Sequence, residues 1–365
     1  MQTKNPASDE GIDFVVLWVD GNDPSRQELL RYHIREATGT AHLVDPEGAA
    51  SKKRIRDWGT FPYFFRSLEK HAPWFRKLHL ITPSPLPVWL NADHPKLNIV
   101  RDEDLFADPS HLPTFNSNAV QAHLDKIPGL AEKFVLFDDD VFFLRNTPAT
   151  RFFVNELPVD FACLYDRKPI TLKTFAWGHA LSQTFEKVEA HLGLNAERML
   201  QLPLVHPNHD DNFNAYNQAH IEKLKAGKFE HRPTLMHLLH VPQPLLKRIV
   251  VEVNEVFAED FARTSAARFR SPDDMLWSAY RYWQLGTNQF VPHHRYFESG
   301  YVPLAQNLEH VKKTYALNDN PEVFFTCFND ELNSSVPEAE EERIREWLVE
   351  TLQSKFPVRS SFECL

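Results

Sequence analysis

The chain has 365 residues, of which 42% are hydrophobic and 25% are charged. These fractions are typical of globular proteins and argue against disorder, and the length is sufficient for one large core with a modest insertion. The formal net charge of −10 argues against a nucleic-acid partner, because nucleic-acid binding normally requires a basic surface.

The N-terminal residues 1–11 are polar and lack the apolar stretch of a signal peptide, and no apolar run reaches membrane-spanning length. The three cysteines, Cys163, Cys327 and Cys364, have the spacing of neither a zinc site nor a disulfide framework, which favours a reducing compartment. We therefore expect a cytoplasmic protein without a transmembrane segment. Peripheral association with a membrane export complex at the inner face of the membrane is left open, and so is the oligomeric state.

The first half of the chain alternates strand-like and helix-like segments. Strands are predicted over residues 14–19, 78–82, 97–100 and 134–137, and helices over residues 61–70 and 116–126. This alternation predicts an α/β fold with a mostly parallel, Rossmann-like sheet flanked by helices. We assign residues 12–156 to the first, α/β half of the chain.

The pattern loosens over residues 157–232, which are rich in His, Asn and Pro and contain one predicted helix, at residues 185–192. We interpret this stretch as a variable, mixed insertion and a candidate acceptor lobe. Residues 233–363 are expected to complete the catalytic domain with C-terminal helices. The predictions there are an amphipathic helix at 245–257, a helix capped by Ser271 that ends at Gly286, a strand at 323–328 and a last helix at 335–357.

Two acidic turns follow predicted strands in the first half. The first contains Trp18, Asp20, Gly21 and Asp23, and the second is residues 138–140, three consecutive aspartates. Carboxylates at the carboxyl ends of strands are suited to Mg²⁺ or Mn²⁺ that bridges to a diphosphate. The alternatives are an ordinary tight turn for the first motif and a solvated loop for the second.

Further polar side chains accompany predicted helix starts. Arg56 precedes a helix and is a candidate phosphate clamp, with a solvated basic turn as its alternative. Four side chains that can form hydrogen bonds lie at the start of the next predicted helix, although one is enough to cap it. The others could bind a hydroxyl-rich ligand. These four are Thr114, Asn116, Ser117 and Asn118.

His240 and Arg270 are the candidate base and cation of the C-terminal half. His240 lies in a Pro-stiffened loop and is suited to take a proton from a sugar hydroxyl, although most isolated histidines are structural. Arg270 directly precedes the predicted helix at Ser271, where a helix N-terminus would add positive charge for a phosphate. Asp274 would lie in the first turn of that helix, and Asn329 with Asp330 ends a predicted strand as a weaker polar motif.

Together these segments resemble the Stealth family of sugar-phosphate transferases, which includes bacterial capsule polymerases and the lysosomal-enzyme N-acetylglucosamine-1-phosphotransferase. The resemblance covers well over half of the chain, in the order of the family. It rests on residues 12–24; on 54–57, 67–74, 112–118 and 127–143; on 240–274; and on 327–363.

The resemblance implies transfer of a sugar-1-phosphate from a nucleotide sugar, usually a UDP-sugar, to a hydroxyl of a glycan acceptor in capsular or exopolysaccharide synthesis. It also implies release of UMP and a requirement for Mg²⁺ or Mn²⁺. The fold would be GT-A-like, and residues 12–156 would be the nucleotide-sugar-binding half. The essential groups of the family map onto Asp23, His240 and Arg270 and onto three expected metal ligands: Asp139, Asp140 and Asp330. Whether Asp23 or His240 is the general base stays open at this point.

The chain departs from the family pattern at two positions. Asp138 replaces a usual Asn and adds charge beside the expected metal site, and Gln243 replaces a common second His, which leaves His240 as the candidate base of its loop. Two alternative functions are considered. A metal-dependent glycosyltransferase would use the same donor and release UDP, and a non-catalytic carbohydrate-binding protein would bind the donor without turnover.

Overall fold

The computed structural model of the protein describes residues 11–38, 56–168, 176–235, 240–294, 299–333 and 335–364. Its strands are β1 Ile12–Leu17, β2 Leu78–Ile81, β3 Leu97–Val100, β4 Lys133–Phe137, β5 Val141–Phe143, β6 Phe153–Val154, β7 Leu157–Asp160, β8 Tyr165–Arg167, β9 Arg232–Thr234, β10 Gln243–Leu246, β11 Val291–Pro292, β12 Ser299–Leu304 and β13 Phe325–Asp330.

The helices, in the same order along the chain, are α1 Pro24–Thr38, α2 Phe61–His71, α3 Asp102–Leu105, α4 Ser117–Gln121, α5 Ala176–Leu192, α6 Ala196–Met199, α7 Asp211–Lys225, α8 Lys247–Val256, α9 Ala258–Ala266, α10 Ser278–Gly286, α11 Leu308–Asn318 and α12 Glu338–Lys355. Short 3₁₀ turns occupy Pro109–His111, Leu124–Lys126 and Ala149–Arg151.

The central sheet has five strands in the order β10-β4-β1-β2-β3. Strands β4, β1, β2 and β3 are parallel, and β10 joins the edge antiparallel to β4. The middle strand β1 carries Phe14, Val15 and Val16, all fully buried, because a parallel strand in the middle of a sheet is covered on both faces. The predicted α/β class with a mostly parallel sheet is confirmed.

A second sheet brings the C-terminal part of the chain to the first half. Its order is β12-β13-β5, with β13 antiparallel to β5 and Cys327 opposite Val141. The backbone N–H of Phe328 donates to the carbonyl of Asp140 at 3.0 Å. The end of β13 therefore lies beside the acidic turn that connects β4 to β5.

Three predicted helices differ from the structure. Leu245 and Leu246 belong to β10, and the amphipathic pattern after them is divided between α8 and α9, because a short apolar run fits a buried strand as well as a helix. The helix predicted from Ser271 begins only at Ser278. The helix predicted at 116–126 is the short α4, which Asn116 caps through Asn118 N–H, followed by a 3₁₀ turn.

The insertion is more structured than predicted. It contains two long helices, α5 and α7, and its strand β8 pairs with β9. A buried ion pair between Asp160 and Arg281, with N–O distances of 2.7 and 2.8 Å, ties its start to α10. The division at residues 156 and 232 stays a prediction. Among the described residues, no helix combines the length and the apolar character needed to cross a bilayer.

Candidate active site

A cleft of about 810 Å³ lies at the carboxyl ends of the parallel strands. It lies at the junction of β1 with β4. The order of the strands reverses there, because β2 and β3 lie on the other side of β1 from β4. Ligands of open α/β sheets bind at such a junction. Most of the residues predicted from the sequence line this cleft: Trp18, Asp20, Gly21, Arg56, Thr114, Asn116, Ser117, Asn118, Asp139, Asp140, His240, Arg270, Asn329 and Asp330.

Asp23 is not among the residues that line the cleft. Its carboxylate accepts hydrogen bonds from the N–H and the hydroxyl of Ser25, at 3.0 and 2.7 Å, at the start of α1. The Ser25 hydroxyl lowers the pKa of Asp23. The carboxylate is thus used locally at the helix start, and a lowered pKa makes it a weaker base.

Asp274 also lies outside the lining and supports the cleft from behind. Its Oδ2 accepts hydrogen bonds from the amides of Asn116 and Asn118, at 3.0 and 2.9 Å, and from the N–H of Ser271 at 3.0 Å. The residue is 3% exposed and its Oδ1 makes no hydrogen bond, so these bonds compensate its burial only in part, and burial raises the pKa of the carboxyl. Asp274 therefore fixes the loop that carries Arg270 against α4. It does not lie in the first turn of a helix as predicted, because α10 begins only at Ser278.

Arg270 reaches the cleft from this loop. Its guanidinium donates a hydrogen bond of 2.6 Å to the hydroxyl of Ser117 at the start of α4. The expectation that a helix N-terminus reinforces its charge is wrong, because α10 begins eight residues later. The positive charge at this position comes from the guanidinium itself.

The turn at residues 138–140 concentrates negative charge in the cleft. Burial and the charges of Asp138 and Asp57 raise the pKa of Asp139 to about 7. Burial, together with Asp138 and Asp139, raises the pKa of Asp140 well above its ordinary value. Atom Oδ1 of Asp140 is buried and makes no hydrogen bond. A divalent cation would turn this mutual repulsion into ligation.

Asp330, one of the expected metal ligands, is paired with a cationic side chain. Its carboxylate accepts two hydrogen bonds from the Arg56 guanidinium, at 2.5 and 2.6 Å, and one from the Trp58 indole at 3.1 Å. Arg56 also pairs with Glu341 at 2.9 Å. Arg56 and Asp330 thus neutralise each other in this structure, and their assignment as phosphate clamp and metal ligand stays a prediction.

Asp139 and Asp140 could hold a metal ion whose other ligands come from the substrate. No group of three or more His, Cys, Asp or Glu side chains in the described parts of the chain has the arrangement to hold a metal alone. Mg²⁺ is commonly held by one or two carboxylates together with substrate phosphates. Asp139 and the unbonded oxygen of Asp140 provide such a partial site.

His240 lies beside the acidic turn in the cleft. Its side chain is 47% exposed, and its Nδ1 is 3.9 Å from Oδ2 of Asp138. The Tyr301 ring packs beside it, with ring centroids 5.2 Å apart. Gln243, at the position of the second histidine, is buried in β10 and donates to Asp160 at 3.3 Å. It therefore has a structural role there.

Comparison with known proteins decides the family. The models for Stealth conserved regions 2, 3 and 4 match residues 54–159, 239–284 and 315–365. The capsular polysaccharide phosphotransferase WcwK of Streptococcus pneumoniae is 33% identical over 360 residues, which are 96% of this chain and 98% of the relative. The chain belongs to the Stealth family.

Other similar proteins are longer or more distant. The exopolysaccharide phosphotransferase of Nocardia farcinica is 35% identical over 342 residues, which are 92% of this chain but only 58% of that relative. This Stealth chain thus spans little more than half the length of that protein. The crystal structure of the galactosyltransferase LgtC with donor and acceptor sugar analogs aligns over 96% of this chain and 98% of its own, with 8% identity and a TM-score of 0.34, which is too low to support an inference.

Two other residues predicted for the cleft, Trp18 and Asn329, contact neighbouring side chains. Trp18 is buried and its ring stacks on Phe61, with centroids 4.8 Å apart and an interplanar angle of 2°. The amide of Asn329 donates to the Tyr301 hydroxyl at 2.7 Å. These residues shape the walls of the cleft.

Four further residues that were not predicted from the sequence line the same cleft: Asp57, Asp102, Arg26 and Tyr301. Asp102 follows β3 just as Asp20 follows β1, so the rule that selected the carboxyl ends of strands would have found it. Arg26 lies two residues into the first helix and donates to the Thr114 carbonyl at 3.0 Å. Tyr301 had no detectable motif around it.

Asp102 gives a test of the electrostatics of this Stealth cleft. It is 4% exposed, its Oδ1 makes no hydrogen bond, and burial raises its pKa to about 6 although Arg26 opposes the shift. Because this pKa is raised, the ionised carboxylate destabilises the folded state, and the full penalty applies above about pH 6. The penalty is lost as the pH falls towards 3.8, the pKa of the group in the unfolded chain. We expect Asp102→Asn to increase the free energy of unfolding by about 3 kcal/mol at pH 7.5 and by roughly half as much at pH 5.

Urea unfolding of both proteins at the two pH values measures this difference. The exposed Asp93→Asn variant is the control and should show no pH-dependent gain. A gain that is equal at both pH values would contradict the assignment of the pKa shift to Asp102.

Proposed function

We propose that this Stealth protein transfers a sugar-1-phosphate from a nucleotide sugar, of which a UDP-sugar is the best candidate, to a hydroxyl of a carbohydrate acceptor, with release of UMP. The observation that carries the proposal is the convergence of Asp139, Asp140, His240 and Arg270 on one cleft at the junction of β1 and β4. Relatives named capsular or exopolysaccharide phosphotransferases support this reaction and a role in polysaccharide synthesis.

The charges of the cleft suit a diphosphate. Asp139 and Asp140 would hold Mg²⁺ or Mn²⁺, which supplies electrostatic stabilisation of the diphosphate when bound. Arg270, held by Ser117, lies where it can donate to the oxygens of the transferred phosphoryl group. Positioning and electrostatics provide most of the catalysis in phosphoryl transfer.

The acceptor hydroxyl attacks the β-phosphorus, which is the one bonded to the sugar. A new bond forms between the acceptor oxygen and this phosphorus, the bond from phosphorus to the bridging oxygen breaks, and UMP leaves with that oxygen. His240 takes the proton of the hydroxyl on a ring nitrogen. Asp138, 3.9 Å from Nδ1, stabilises the resulting imidazolium. We favour His240 over Asp23 as the base because it lines the cleft and Asp23 does not.

The identity of the released nucleotide tests the proposal. The purified protein is incubated with Mg²⁺, a panel of UDP-sugars and three acceptors, the methylumbelliferyl glycosides of lactose, cellobiose and chitobiose. Chromatography of the spent nucleotide should show UMP in an amount equal to the phosphodiester product. UDP instead of UMP would assign the protein as a glycosyltransferase, and donor binding without turnover would assign it as a carbohydrate-binding protein.

The metal proposal has a readout that is independent of turnover. Mg²⁺ and UDP together should raise the midpoint of thermal unfolding by about 4 °C, because ligands that bind only the folded state stabilise it. Asp140→Asn should lose most of this shift, whereas the exposed control Asp93→Asn should keep it. An undiminished shift in Asp140→Asn would remove Asp140 from the metal set.

A further inference from the structure

A second cavity of about 980 Å³ lies beside the cleft and shares two lining residues with it, His240 and Tyr301. We propose that this second cavity binds the acceptor glycan and delivers its hydroxyl to His240, an assignment that rests on the proposed transfer reaction. Its walls come from the start of the insertion, from helix α7, from residues 240–244 and from the start of β12.

The walls of the second cavity are suited to sugars. The aromatic side chains that line it include Phe161, Phe213 and Tyr216. Phe213 is buried and stacks on His294, whereas Tyr216 stacks on His220 and is 41% exposed. The side chains of Asn212 and Asn320 line the same space and offer both donors and acceptors of hydrogen bonds. Binding sites for small organic ligands typically combine apolar and aromatic walls with a few polar groups that fix orientation.

The charge of the second cavity differs from that of the cleft. Asp160 is the only carboxylate among the described residues that line it, and Arg281 neutralises this group through two hydrogen bonds of 2.7 and 2.8 Å. The cleft, by contrast, contains eight carboxylates among its described lining residues. Arg151 also lines the second cavity and contacts the His293 ring at 3.2 Å. A cation that binds the donor diphosphate therefore belongs in the cleft, and a hydroxyl-bearing ligand without a cation belongs in the second cavity.

The junction of the two cavities fits the direction of the reaction. In an in-line displacement the attacking oxygen and the leaving oxygen lie on opposite sides of the phosphorus. An acceptor that enters from the second cavity meets the cleft at His240, next to Tyr301. Tyr301 is held there by the Asn329 amide at 2.7 Å and by a hydrogen bond to Glu331. His240 therefore faces both substrates from the boundary between them.

The test compares two exposed tyrosines. Tyr216 lies in the second cavity and is 41% exposed, and Tyr32 is 55% exposed on α1 and lines neither cavity. We expect Tyr216→Ala to raise the KM for the three methylumbelliferyl glycosides by about tenfold, since a stacked ring is lost. The Kd for UDP with Mg²⁺ and the kcat should be unchanged. Tyr32→Ala should match the wild type in all three quantities.

A binding measurement separates this inference from the proposed reaction. Saturation-transfer NMR with the same three glycosides, in the presence of UDP and Mg²⁺, should detect binding to the wild type and to Tyr32→Ala and much weaker binding to Tyr216→Ala. No binding to the wild type, or equal binding to the two variants, would overturn the assignment of the second cavity. Tyr216-dependent binding without UMP release would support the second cavity as a glycan site and contradict the proposed reaction.

Discussion

Replacement of Arg270 by alanine is expected to lower the kcat for UMP release by about 10³-fold, because a guanidinium aimed at a transferred phosphoryl group contributes about that much. The free energy of unfolding should change by less than about 1 kcal/mol, because Arg270 is partly exposed. Kinetics of UMP release and urea unfolding of the same preparation measure the two quantities.

Arg268 provides the matched control for this experiment. It lies two residues before Arg270, donates to the carbonyl of Pro113 and is not among the residues that line the cleft. Arg268→Ala should therefore keep its kcat within a few-fold of the wild type. Near-normal turnover in Arg270→Ala would show that this arginine does not stabilise the transferred phosphoryl group.

Replacement of His240 by asparagine is expected to lower kcat by about 10³-fold, since general base catalysis typically contributes 10²–10⁴-fold. Asp23→Asn should lower it by less than about tenfold, because asparagine also caps a helix start and the Asp23 carboxylate is bound to Ser25 outside the cleft. Measurement of kcat for the wild type and both variants at one pH gives the comparison.

The opposite ranking of these two variants would identify a different base. If Asp23→Asn loses about 10³-fold and His240→Asn retains most of its activity, the proton acceptor is Asp23. The cleft would then have to close onto the start of α1 during the reaction. A loss of similar size in both variants would also contradict the distinct role proposed for His240.

The strands and the acidic turns could be predicted because their causes are local. A run such as residues 14–17 is apolar at every position, as expected for a strand that is covered on both faces, and the next polar residues mark the carboxyl end of the strand. The same logic correctly placed Asp139 and Asp140 at the end of β4. It failed for Leu245 and Leu246, because periodicity alone does not distinguish four buried strand residues from the first turn of a helix.

Other features of the site depend on partners that are distant in the chain. Arg56 and Asp330 look like a free clamp and a free metal ligand in sequence, but they are 274 residues apart and bind each other in the fold. Asp274 looks like a residue of a helical first turn, but its carboxylate binds Asn116 and Asn118. Short-range patterns contain no information about which opposite charge will be nearest after folding.

The amino-acid sequence by itself determined the α/β class, the membership of the family and the chemical groups available for the site, because these depend on the order and the types of residues. Only the tertiary structure decided which carboxylates are paired with a cationic side chain, that Asp23 stands apart from the cleft, and that His240 lies at the boundary between two cavities. The physical reason is that the availability of a charged side chain is set by the groups that surround it, and these come from segments hundreds of residues apart.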